Sequence, residues 1–214
     1  LAGLTPERRL VGRNLSKADV ALFLVGGRRV AVKDYSLRPF LARNTIGRLM
    51  IRRECRAYER VGRAPGLAPF LGRIDPFALA TEWIDSVPLA ELRGGTAPPE
   101  VFDRLDAVLA GLHQRGVAIA DLHHRDVLVA KDGAVHIVDL AAAFVLGRRP
   151  GSLRRRVFAR FRAQDTLAAA RMRARFTGGT EGDALATIDP DDVRLWEAGR
   201  GIKRFWDRLR GRRD

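Results

Sequence analysis

Three acids, spaced around a single hairpin, constrain this chain more than any other feature. The stretch runs Gly-Val-Ala-Ile-Ala-Asp121-Leu-His-His-Arg-Asp126-Val-Leu-Val-Ala-Lys-Asp-Gly-Ala-Val-His-Ile-Val-Asp139-Leu. Asp121 falls in a loop, and Asp126 stands just before an apolar strand, Val127–Ala130. Lys131-Asp132-Gly133 supplies a turn, and a returning strand, Val135–Val138, delivers Asp139 at its end. Holding three carboxylates together is costly unless something positive sits among them. Mg²⁺ carrying nucleotide phosphates meets that need, leaving one carboxylate to orient an acceptor hydroxyl. Any single Asp here reads equally well as a turn cap. The ordered set argues against that reading for all three.

The chain of 214 residues is long enough for one good-sized core, or for two small ones sharing a cleft. Hydrophobic residues make up 46% and charged residues 30%, a globular balance. No apolar run approaches the roughly 20 residues that span a bilayer, and the N-terminus does not read as a signal peptide. The single cysteine, Cys55, sits in a helical pattern as a buried, inert thiol and fits a reducing, cytoplasmic setting. A formal charge of +14, carried mostly by arginine, suits anionic partners: nucleotide, nucleic acid or an anionic membrane face.

Residues 9–23 and 27–34 read as paired strands about a turn at Gly26-Gly27. The second ends in Val30-Ala-Val-Lys33, a charge closing an apolar run. A helix is expected over 45–62, with Ile46, Leu49, Ile51, Cys55, Tyr58 and Val61 on its apolar face. Strands follow at Phe70–Ile74 and Phe77–Ile84, turning at Asp75-Pro76. A helix over about 100–115 carries Val101, Leu105, Val108, Leu109 and Leu112. His113 reads as a packing or hydrogen-bonding residue, and His123 and His124 as phosphate contacts; no Cys/His spacing supports zinc. Beyond Pro150 comes a basic helix, about 152–176, and Asp189-Pro190-Asp191 signals another helix start.

The hairpin resembles the catalytic and metal-binding segments of the protein-kinase-like superfamily, whose pattern is H-x-D-L-x-x-x-N, a hairpin, then D-F-G. Asp121 matches the catalytic Asp, Asp126 the metal-binding Asn and Asp139 the metal-binding Asp. Ile119 replaces the usual His, and Leu140-Ala141 replaces Phe-Gly. Over roughly residues 10–145 the chain most resembles RIO-type kinases and bacterial lipopolysaccharide (Kdo/heptose) kinase-like proteins. The resemblance implies an α+β, compact bilobal fold. Residues 1–84 would form a small antiparallel lobe with one main helix, and 85–214 a mostly helical lobe with its catalytic loop at 117–141.

Through the same resemblance Lys33 would grip nucleotide phosphates, with Glu54 its best helix partner and Glu59 the competitor. Ser16-Lys17-Ala18-Asp19-Val20 looks like the RIO phosphate loop, so the Ser16 hydroxyl and Lys17 ammonium would approach phosphate oxygens. Thr81-Glu82-Trp83-Ile84 resembles the hinge, where backbone groups near Glu82 and Ile84 would meet the adenine edge. ATP and Mg²⁺ (or Mn²⁺) are the implied cofactors. The reaction would phosphorylate a hydroxyl of a sugar, glycolipid or other non-peptide acceptor. A RIO-like kinase or ATPase working near RNA, and a nucleotide-binding pseudokinase, remain as alternatives. From residue 147 onward, 18 Lys and Arg face 9 Asp and Glu. The amphipathic, basic segment 193–214 either packs on the fold or rests on an anionic membrane.

Overall fold

The computed structural model describes residues 4–12, 17–92, 96–186, 188, 190–191 and 193–194. Three antiparallel strands open the chain: β1 (Arg8–Leu10), β2 (Asp19–Val25) and β3 (Arg28–Asp34). Gly26 and Gly27 both take positive φ, 57° and 76°, the backbone that a tight two-residue hairpin requires. The expected single strand over 9–23 is instead two, because Arg8–Leu10 folds back antiparallel on Val20–Leu22. The Gly12 N–H donates to the Asp19 carboxylate at 3.0 Å.

A short α1 (Phe40–Ala42) passes through a π turn (Arg43–Gly47) into α2 (Arg48–Val61). The helical run thus begins after Pro39, earlier than the expected residue 45. Phe40 and Leu41 are exposed, so this first turn carries no apolar periodicity to read. Gly62, with φ 67°, ends α2 and donates to the Tyr58 carbonyl at 2.8 Å. β4 (Phe70–Asp75) and β5 (Ala78–Glu82) complete a five-stranded sheet ordered β1-β2-β3-β5-β4. Their turn is an Asx turn, with the Phe77 N–H on the Asp75 carboxylate at 2.6 Å.

β6 (Ser86–Pro88) leads to α3 (Pro99–Gln114), then to β7 (Val117–Ala118), β8 (Val127–Ala130) and β9 (Val135–Ile137). Pro at the first helical position starts α3, where its missing N–H costs nothing. β10 (Phe144–Val145) pairs with β7, while β6, β8 and β9 form a three-stranded sheet. α4 (Ser152–Thr177) and α5 (Glu181–Ala186) follow. The fold is therefore mixed α and β with antiparallel sheets, as an α+β class requires. Pro190 and Asp191 are helical, but the rest of the expected C-terminal helix, like the proposed membrane contact through 193–214, lies almost wholly outside the described residues. Among the described residues no helix is long and apolar enough to cross a membrane.

One helix joins two cores. Ile51 and Cys55 of α2 pack with Ala18, Tyr35 and Leu79 against the sheet. Ala57, Tyr58 and Val61 of the same helix enter the larger core built from α3, β7–β9 and α4. The period of 3.6 turns these two sets toward different neighbours along one axis. Ile51 is fully buried, so Ile51→Ala should cost about 2–5 kcal/mol in urea denaturation. A loss under about 1 kcal/mol would show that α2 is not clamped to the sheet.

Candidate active site

Strand alternation decides where Lys33 goes. Val30 and Val32 pack on one face of β3 with Ala78 and Ala80. Lys33, out of phase with them, lies opposite Leu79, on the face that α2 covers. Its ammonium is 2.6 Å from Glu54 Oε2 and 2.8 Å from Asp139 Oδ1. Glu54 falls on the buried stripe of α2 and is 2% exposed. Its other oxygen accepts the Leu140 N–H at 3.2 Å. Glu54 thus joins the strand lysine to the backbone just beyond Asp139. Glu59 is exposed and lies elsewhere on the helix.

Burial alone would push the Lys33 ammonium down, but the Glu54 and Asp139 charges outweigh it and hold it above its ordinary range. Burial pushes Glu54 upward, and the Lys33 charge opposes that rise without cancelling it. Asp139 is held at about 2: burial would raise it, yet the charge and hydrogen bond of Lys33 prevail, with Lys17 assisting. The ammonium is therefore charged, with Asp139 its firm anionic partner. Lys17 approaches the second Asp139 oxygen at 3.4 Å. Asp126 stands at about 6, raised by burial and then by the charge of Asp139. Its backbone is fixed by the His123 carbonyl, which accepts the Asp126 N–H, and by the Val138 N–H, each at 2.9 Å.

Asp121 projects from the loop after β7, its side chain 61% exposed, with His123 Nε2 3.2 Å away. A residue that sequence reasoning missed holds this loop. Asp165 of α4 is wholly buried and accepts the Ile119 and Ala120 N–H groups at 2.7 and 2.8 Å. His113 Nε2 lies 3.0 Å from the same carboxylate, and Gln164 donates to the Ala120 carbonyl at 2.8 Å. Ala120 has φ 67° and Asp139 has φ 73°, the two non-glycine residues with positive φ among those described. Such backbone persists only where its surroundings enforce it. Both places border the candidate acids. The available signal for Asp165 was that it is the only acid between 152 and 177.

Gly12 and Lys17, on either side of residues 13–16, are also anchored. Arg38 pairs with Asp19 and donates to the Lys17 carbonyl at 3.0 Å and the Gly12 carbonyl at 3.3 Å. A Cβ at Gly12 would stand 2.5 Å from the Lys17 carbonyl oxygen, so only glycine permits this approach. Ser16 lies outside the described residues. At the other end of the sheet, Glu82 pairs through its carboxylate with Arg28, and its N–H donates to the Pro69 carbonyl at 2.9 Å. Pro69 has no N–H to return to the Glu82 carbonyl. The Ile84 carbonyl accepts from Ser86 at 3.1 Å. Trp83 is half-buried and its indole N–H donates to the Asp85 carboxylate at 3.2 Å.

The structure therefore brings Lys17, Lys33, Glu54, Asp126 and Asp139 together, with Asp121 exposed nearby on the adjoining loop. Among the described residues no group of three His, Cys, Asp or Glu converges as a complete protein cage for a metal. Mg²⁺ needs only one or two carboxylates when phosphates and water supply the rest. The oxygen donors of Asp126 and Asp139 fit that demand, and a cation would offset both the burial of the Asp126 carboxyl and, second to it, its repulsion by Asp139. No family model matches this sequence, and no curated protein matches it.

The raised Asp126 carries a stability consequence of definite sign. Its folded value, about 6, exceeds the ordinary 3.8, so the folded state binds more protons and loses stability as pH rises between the two. The loss amounts to at most about 3 kcal/mol, reduced by the solvent that still reaches the carboxyl. Asp126→Asn should thus be more stable than wild type at pH 8, with the difference vanishing near pH 4. Equal denaturation midpoints across that range would show that burial and the Asp139 charge do not raise the Asp126 carboxyl.

Proposed function

We propose that this protein is an ATP- and Mg²⁺-dependent phosphotransferase with a bilobal protein-kinase-like fold, resembling RIO-type and lipopolysaccharide-kinase-like proteins. The observation that carries this reading is the Lys33 ammonium seated between Glu54 and Asp139, groups drawn from a strand, a helix and a loop far apart in sequence. The five-stranded sheet with α2 would be the small lobe. The helices and short sheets after β5 would be the large lobe.

Phosphoryl transfer asks chiefly for alignment and charge neutralisation. Lys33, oriented by Glu54, would bind the nucleotide phosphates, and Lys17 would meet them from the loop above. Asp139 and Asp126 would hold Mg²⁺, which supplies neutralisation of phosphate charge when bound. The Glu82 carbonyl and the Ile84 amide would present one acceptor and one donor to a base edge. Asp121, exposed and next to His123, would accept the proton of the acceptor hydroxyl. Ile119 suits its place: its side chain is buried in the large core while its N–H serves Asp165.

Only residues 140–151 separate Asp139 from α4, which leaves little chain for a peptide-docking segment. That favours a compact acceptor such as a sugar or glycolipid hydroxyl. One observation favours a second reading, a nucleotide-binding pseudokinase: both Asp139 oxygens are occupied by lysines. ATP turnover, measured with Mg²⁺ and a panel of sugar acceptors, separates the two. Asp121→Ala should lower turnover about 10²–10⁴-fold while leaving ATP affinity nearly unchanged. Turnover that survives Asp121→Ala contradicts the assigned role, and ATP binding with no turnover in wild type selects the pseudokinase.

A further inference from the structure

A second basic site lies on the opposite side of α2 from the Lys33 cluster. Arg53, Arg56 and Arg60 follow one another at helical spacing and line a cavity of roughly 690 Å³. Arg148 and Arg154 border it from the chain that enters α4, and Phe144, Val145 and Leu146 give it an apolar lining. Its volume falls within the roughly 300–1,000 Å³ typical of small-molecule sites. Five guanidinium groups face it against one carboxylate, that of Glu59.

None of these arginines pairs with an acid among the described residues. Three are instead held by backbone carbonyls: Arg53 on Ala142 at 2.8 Å, Arg60 on Arg115 at 2.9 Å and Arg154 on Val145 at 2.6 Å. Arg154 also lies 5.1 Å from the centre of the Phe144 ring. A carbonyl orients a guanidinium without neutralising it, so the charge stays available to a ligand. Arg56 and Arg148 make no hydrogen bond or ion pair among the described residues and are exposed. Mutually repelling arginines around an open cavity are compensated best by a multiply charged anion. The planar fork matches phosphate oxygens in pairs.

We propose that this cavity binds a phosphate ester or diphosphate, its phosphoryl oxygens on the arginines and its carbon body against Phe144–Leu146. The site is separate from the Lys33 cluster, and the proposal stands or falls independently of the phosphotransferase reading. It is nevertheless tied to that cluster through the backbone. β10, which lines the cavity, pairs residue for residue with β7, the strand that leads to Asp121. Arg53 directly precedes Glu54 and grips the carbonyl of Ala142, three residues past Asp139.

Sodium pyrophosphate is the probe, titrated calorimetrically into wild type, the pair Arg56→Ala/Arg148→Ala, and a charge-matched control pair, Arg63→Ala/Arg104→Ala. Arg63 and Arg104 are exposed and do not line the cavity. The cavity pair should weaken binding about tenfold or more, as expected for two lost charge-assisted contacts, and the control pair less than about twofold. Equal losses in both pairs, or no pyrophosphate binding by wild type, would overturn the proposal. Co-sedimentation with phosphatidylcholine vesicles containing phosphatidic acid identifies the source. Binding lost only in the cavity pair assigns a lipid phosphate, and pyrophosphate binding without vesicle binding assigns a soluble one. ATP affinity should be the same in all three proteins. A wild type that binds pyrophosphate through this cavity but no ATP would refute the phosphotransferase and leave this site standing.

Discussion

An ammonium taken out of water costs several kcal/mol unless carboxylates meet it, and Lys33 meets two. The arrangement is not charge-balanced by itself: one cation faces Glu54 and Asp139, leaving a net negative charge that Lys17 offsets from the adjoining loop. Asp126 then brings the excess back; burial first, and the Asp139 charge second, push its carboxyl up to about 6. The cluster is therefore satisfied as a structure and still one positive charge short. That shortage is the physical basis for expecting a cation to bind here, beyond any likeness of motif.

Packing of α2 and the contacts of Asp165 keep those groups in register. α2 is held to the sheet through Ile51 and Cys55 and to the helical core through Ala57, Tyr58 and Val61. Glu54, flanked by Ile51 and Cys55 and one turn before Tyr58, is held in place by both sets. On the other side, Asp165 spends its carboxylate on two backbone N–H groups and His113. The strained backbone at Ala120 and Asp139 is what those anchors maintain. Lys33 and Glu54 come from the sheet and α2, while Asp121, Asp126 and Asp139 come from the loop and hairpin of the larger core, so the cluster assembles only while α2 couples the two cores.

Lys33 and Asp139 were legible because each sits in a local pattern: Lys33 closes an apolar strand and Asp139 ends another. Glu54 was singled out only through the resemblance to the protein-kinase-like superfamily, with Glu59 beside it as an alternative. Other features depend on partners distant in sequence and leave no local trace. Asp165 reads as one acid among arginines until α4 is laid against the loop before Asp121. Gly12, Asp19 and Arg38 form a clamp that only the folded chain assembles. β7 and β10 have two residues each, too few for alternation to show. The arginines of α2 read as a solvated face, because a sequence cannot reveal that Phe144–Leu146 closes a cavity over them.

If a nucleotide binds this cluster, Lys33 is the lysine its phosphates would meet. An acyl-phosphate derivative of ATP, which acylates the amine nearest its phosphates, tests it most directly when the modified residue is located by mass spectrometry. Lys33, with Lys17 as a minor second site, should be modified, and ATP with Mg²⁺ should protect both. Modification spread over surface amines without protection by ATP, or an unmodified Lys33, would contradict it.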